Sequence, residues 1–135
     1  MRSELTQDEA RFVGAERVAR LAVVDQEGAP RVAPICPVLD GGTILVASDP
    51  GAKLDSLRRE PRCALVFDTY VEDWKLLHQV RVRGTARLIG GGPEWDRAKR
   101  LLDEKYPQYE PQAPITPGRT VIIAVRIEHV TSEGF

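Results

Sequence analysis

The chain has 135 residues, enough for one domain (1–135) that buries its own core. Its 19 basic and 20 acidic residues leave a net charge of -1, which argues against nucleic acid as a partner. No apolar run approaches the ~18 residues of a membrane span, and the start of the chain has no signal-peptide pattern, so a cytoplasmic location is expected.

The elements follow in chain order. Thr6-Gln7-Asp8-Glu9 has the form of a capping box and opens a helix expected over residues 6–18. Residues 19–25 and 31–38 read as two strands of a hairpin around a turn at 26–29. Pro34 and Pro37 interrupt the second strand. A proline cannot donate to a ladder, so this strand is an edge, a bulge or a place where a ligand approaches. A third strand is expected over residues 43–48. The Asp49-Pro50-Gly51 turn then leads into a helix with Leu54 and Leu57 on one face. Residues 62–70 read as a fourth strand. Residues 79–89 alternate strictly, with Val80, Val82, Gly84, Ala86 and Leu88 on one face and Arg81, Arg83 and Arg87 on the other. Gly90-Gly91-Gly92-Pro93 starts a helix over 93–105. Residues 106–118 hold four prolines and are expected to form no regular element. A last strand over 119–127 carries the run Val121 to Val125, apolar on both faces, which points to burial on both sides and hence to a dimer. Short strands joined by tight turns give an antiparallel sheet. The expected fold is mainly β (α+β): a six-stranded antiparallel barrel with flanking helices.

The chain has no nucleophile elbow, no P-loop and no dinucleotide fingerprint, and no catalytic residue is assigned. Cys36 and Cys63 lie in strand-like runs away from any histidine, so no metal site is expected. His78 and His129 stand in strands, where a structural role is expected. The strand, turn and helix start around Lys53 have a different character. A helix N-terminus presents unpaired N–H groups and partial positive charge. Lys53 in the first turn makes a phosphate pocket one reading, and a surface helix with an exposed lysine the other. In the first reading Pro34, Ile35 and Cys36 lie against a planar ring. Ala47 and Ser48 end the neighbouring strand, and Ser48 and Lys53 meet the polar tail.

The run Gly51-Ala52-Lys53 followed by Leu57-Arg58-Arg59-Glu60-Pro61-Arg62 resembles the split-barrel flavin/deazaflavin oxidoreductases, relatives of pyridoxamine 5'-phosphate oxidase. Asp68 to Trp74, Val80 to Arg87 and Glu104 to Tyr109 resemble a subgroup that uses the deazaflavin coenzyme F420. The resemblance implies a six-stranded split barrel, a homodimer with cofactor sites at its interface, and hydride transfer to or from a small-molecule substrate. It assigns Lys53 to the cofactor phosphate with help from Ser48 and Ser56. It also puts Pro34, Ile35 and Cys36 against the ring and Trp74 near the pocket mouth. Leu54 and Asp55 depart from the pattern, and Asp55 would repel a phosphate if it faced inward. FMN is the alternative cofactor. A non-catalytic dimer that binds flavin, haem or another tetrapyrrole is the alternative function. Arg58, Arg59, Arg81, Arg83 and Arg87 would favour the longer anionic tail of the deazaflavin if they faced it.

Overall fold

The computed structural model describes residues 2–135. Helix α1 (Gln7–Ala15) starts at the expected capping box: the Glu9 amide donates to Thr6 Oγ1 at 3.2 Å and the Thr6 amide donates to Glu9 Oε1 at 2.8 Å. It ends three residues earlier than expected, because the backbone is already extended at Glu16 on its way into the first strand. Seven β segments follow: β1 (Ala19–Val24), β2 (Pro30–Ile35), β3 (Val38–Asp40), β4 (Thr43–Ser48), β5 (Arg62–Thr69), β6 (His78–Ile89) and β7 (Val121–Glu133). Helix α2 (Ala52–Arg59) joins β4 to β5. Helix α3 (Pro93–Lys105) and the short helix α4 (Tyr109–Gln112) lie between β6 and β7.

All pairings are antiparallel, in the order β2-β1-β5-β6-β7-β4-β3. The two edge segments, β2 and β3, are consecutive in the chain, with only Cys36 and Pro37 between them. Three Cα steps span about 11 Å at most, so the two edges of the sheet must approach each other. The sheet therefore curls into a split barrel, closed by one ribbon that breaks at Pro37. The expected second strand is this ribbon, and its break is why the count is seven segments rather than six. Pro34 sits on the edge, since β2 pairs with β1 alone.

The barrel interior holds Leu21, Ile35, Ile44, Val46, Leu65, Phe67, Val82, Ile123 and Val125, with Val13 of α1 and Leu54 and Leu57 of α2 packed in. A second core forms outside the sheet, where Trp95, Ala98 and Leu102 of α3 cover Leu45, Ile122 and Ala124. Trp95 Nε1 donates to the Thr120 carbonyl at 2.9 Å and anchors the helix. The run Val121 to Val125 is thus apolar on both faces because one faces the barrel and the other faces α3. It gives no argument for a dimer. The last strand also continues to Glu133, past its expected end, because a bulge at Gly84 restores its register with β6. Within 106–118, expected to be irregular, α4 forms one turn with Pro111 at its third position, where the N–H has no helical partner in any case. Among the described residues no helix is long and apolar enough to cross a membrane.

Candidate functional site

The closing corner and the start of α2 meet in one groove of about 300 Å³, lined by Val18, Pro34, Ile35, Cys36, Val46, Ala47, Lys53 and Tyr109. Sequence reasoning had singled out five of these from three separate segments: Pro34, Ile35, Cys36, Ala47 and Lys53. Pro34, Ile35 and Cys36 arrive from the end of β2, Ala47 from β4, and Lys53 from the first turn of α2. The walls are aliphatic apart from the Cys36 thiol, the Tyr109 ring and the lysine.

Among the described residues Lys53 is the only charged group in the lining. Among the described residues it has no hydrogen-bond or ion-pair partner. Partial burial lowers its pKa from the ordinary lysine value, and the nearby Cys36 thiol opposes that shift. No side chain caps α2, whose N-cap is Gly51, so the first amides of the helix keep their donor capacity. Asp55, the expected source of repulsion, is exposed, paired with Arg58 at 3.3 Å and absent from the groove. The site thus combines an unpaired cation, uncapped helix donors and apolar walls, a donor set that fits a flat ring bearing an anionic tail.

The other nominated residues lie elsewhere. Ser48 borders a smaller hollow of about 140 Å³ with Asp49, Pro114 and Thr120, whose lining shares Ala47 and Tyr109 with the groove. Its hydroxyl donates to the Asp49 carbonyl at 3.1 Å. Ser56 is buried and lines a separate hollow beside Asp25, Glu27 and Arg31. Trp74 is 72% exposed on the loop at 70–77, where its Nε1 donates to the Tyr70 hydroxyl, and it does not reach the groove of its own chain. The arginines proposed for a long anionic tail do not line the groove either. Arg58 pairs with Asp55, Arg81 with Glu133 and Arg87 with Glu94, and Arg59 donates to the Asp25 carbonyl.

Sequence reasoning missed Val18, Val46 and Tyr109 as groove residues. Val46 shows the same alternation as any core valine, and Val18 reads as the end of a helix. Tyr109 lies in the proline-rich segment, and its only signal was the family resemblance of Glu104 to Tyr109. Burial, with Cys36 and Asp103 nearby, pushes its phenol up to about 12, so it faces the groove as a neutral hydroxyl.

Residues 5–133 match the family model for pyridoxamine 5'-phosphate oxidase. The chain belongs to this family. No curated protein matches it. Among solved structures, it is similar to a conserved hypothetical protein of Mycobacterium tuberculosis, with TM-score 0.81 and 20% identity over 95% of this chain and 84% of that one. It is also similar to the haem storage protein of Vibrio cholerae, with TM-score 0.80 and 14% identity over 98% and 96% of the two chains. A haem-binding protein of Mycobacterium smegmatis gives TM-score 0.79 and 17% identity over 93% of this chain and 52% of that one. These likenesses establish the split-barrel fold of the family member.

Proposed function

We propose that this family member is an oxidoreductase that holds a flavin-type cofactor, the deazaflavin coenzyme F420 with FMN as alternative, in the Lys53 groove. The observation that carries the reading is the half-buried, unpaired Lys53 beside an apolar wall. Lys53 and the first amides of α2 would hold the phosphate. The backbone of Pro34 to Cys36 and the side chains of Val18 and Val46 would flank the ring and keep water from it. The bound cofactor would supply hydride transfer, so the chain needs no acid–base constellation of its own. The preference for the deazaflavin rests on the resemblance of the segments 68–74 and 80–87, and the arginines engaged elsewhere add nothing to it.

The working unit in this reading is a homodimer. The outer face of β2, β1, β5, β6 and β7 bears a hollow of about 420 Å³ whose lining includes Ala22, Val32, Ala64 and Val66, and Val32 is 69% exposed. Such a surface calls for cover. Light scattering after size exclusion checks this point, with a dimer expected for the wild type and a monomer for Val32→Glu. The function itself is tested by fluorescence titration with coenzyme F420 and with FMN. Saturable binding of either, weakened in Lys53→Ala, supports the reading, and no binding of either overturns it.

A haem-binding dimer is the second reading. It is favoured by the presence of Cys36 and Tyr109 in the groove, two residue types that ligate haem iron. A Soret shift on adding haemin, lost in Cys36→Ala or Tyr109→Phe, would select it.

A further inference from the structure

The end of α3 carries two donors that the groove's own lining does not include. Lys105 Nζ donates to the carbonyl oxygens of Glu16 at 2.7 Å and Pro37 at 2.8 Å. The Tyr106 hydroxyl, on a side chain buried to 2% exposure, lies 2.9 Å from the Arg17 carbonyl oxygen and 2.8 Å from that of Pro37. Its single proton serves both carbonyls. The Arg17 guanidinium sits 4.6 Å from the centroid of the Tyr106 ring and closes the cluster.

The register explains why these donors matter. The β1–β2 ladder ends at the pair Ala19 and Ile35. Counting on in the same register, the next two positions outward set Val18 against Cys36 and then Arg17 against Pro37, although the ladder itself has ended. Val18 and Cys36 are groove walls. Pro37 has no N–H, so backbone pairing beyond Ile35 loses a donor at the point where the ribbon turns. The Tyr106 hydroxyl bridges the Arg17 and Pro37 carbonyls at that very step. Lys105 ties the Pro37 carbonyl to that of Glu16, the residue before Arg17 in the connection from α1 to β1.

We propose that Lys105 and Tyr106 are positioning residues of the groove: their side-chain donors replace the missing rung and hold Val18 and Cys36 at one spacing. The cation is kept there against a burial cost. Its pKa is lowered to about 8 by burial and by the charge of Arg17, with Cys36 and Glu16 acting the other way. Two carbonyl acceptors rather than a carboxylate hold it, which suits a device for fixing backbone. That this spacing serves a flat cofactor rests on the function proposed above; the bolt itself does not.

The ligand-free protein tests the bolt through its two free cysteines. Cys36 is partly accessible, whereas Cys63 is buried and its thiol is pushed up to about 12, so Cys63 reports only general opening. Iodoacetamide labelling is followed at both positions by mass spectrometry. Tyr106→Phe and Lys105→Met should each speed labelling at Cys36 by about fivefold, the scale of one lost hydrogen bond, with Cys63 unchanged. Lys105→Arg, which keeps donors and charge, should stay near the wild-type rate. The same two variants should weaken F420 or FMN binding about tenfold. An unchanged Cys36 rate, or an equal rise at both cysteines, overturns the proposal. If the wild type binds neither cofactor but the selective rise at Cys36 appears, the bolt stands and only the cofactor reading falls.

Discussion

Lys53 and Cys36 face the same groove from segments that share no secondary structure: the lysine rises from the first turn of α2, and the thiol sits where the closing ribbon breaks. Their proximity is felt electrostatically, since the thiol opposes the fall in the lysine's pKa that burial causes. In the function proposed above, an ammonium so placed, with no carboxylate beside it, takes its anion from outside the chain. Lys53→Ala should therefore lower cofactor affinity about tenfold or more, equivalent to ~1.4 kcal/mol. Fluorescence titration measures this, and Lys53→Arg should recover part of the loss. An alanine variant that binds as tightly as the wild type removes Lys53 from the site.

Gly84 marks the one irregularity in the β6–β7 ladder, where Arg83 pairs with His129 and Gly84 with Ile127. Glu128 is the extra residue of the bulge. A Cβ on Gly84 would overlap the Arg126 carbonyl oxygen and lie 2.8 Å from Val125 Cγ1. Backbone on one side and a core valine on the other leave little room to give. Gly84→Ala should cost about 2–3 kcal/mol, read as a lower urea midpoint with an unchanged slope. A midpoint equal to the wild type would show that the bulge relaxes freely.

Local pattern carried most of the fold. The alternation over 79–89 identified β6, and the Thr6–Glu9 spacing identified the start of α1. That the sheet closes into a barrel was legible, but where it closes was not, because nothing in the residues around Pro37 states that β2 and β3 lie on opposite edges of the sheet. That fact emerges only from the pairings of β4 with β7 and β1 with β5. The same limit governed the site. Lys53 announced itself by local chemistry, a cation at a helix start. Lys105 and Tyr106 donate to carbonyls 68 to 89 positions away in sequence, Tyr109 shares the groove with residues from β2, β4 and α2, and no local signal encodes such partners. The covered face of β7 shows the converse. A doubly apolar strand reports that both sides are buried and not which neighbour does the burying.

Glu9 shows how a capping motif can conceal a second duty. Besides closing the capping box it accepts two hydrogen bonds from Arg2, at 2.6 and 2.7 Å, with its side chain only 1% exposed. Those bonds, chiefly, hold its pKa down at about 2, from an ordinary value of 4.5. The unfolded chain takes up this proton near pH 4.5 and the folded chain only near pH 2. The stabilisation is therefore complete above about pH 5 and is lost as the pH falls toward 2. Glu9→Gln should lose stability at pH 7 by about 2–3 kcal/mol, less than a fully buried pair because Arg2 is half exposed. Its urea midpoint should approach that of the wild type at pH 2–3. A constant gap between the two proteins from pH 7 to pH 2.5 would show that the ion pair is not the source.

Lys105 makes the opposite prediction at alkaline pH. Burial brings its folded-state pKa to about 8, against 10.5 in the unfolded chain. Between those values the unfolded state binds the extra proton, so this group's contribution to stability rises with pH. The neutral amine still offers donors to the Glu16 and Pro37 carbonyls, and the desolvation cost of the charge is gone. Across pH 7.5 to 10, the wild type should therefore gain stability relative to Lys105→Met, the difference in urea midpoints widening as the pH climbs. The comparison cancels the titration of the exposed lysines and arginines, which both proteins share. A gap that narrows instead would mean that charge, rather than the donors themselves, holds the corner. Lys105→Arg, which cannot lose its proton in this range, should then keep its stability where the wild type fails.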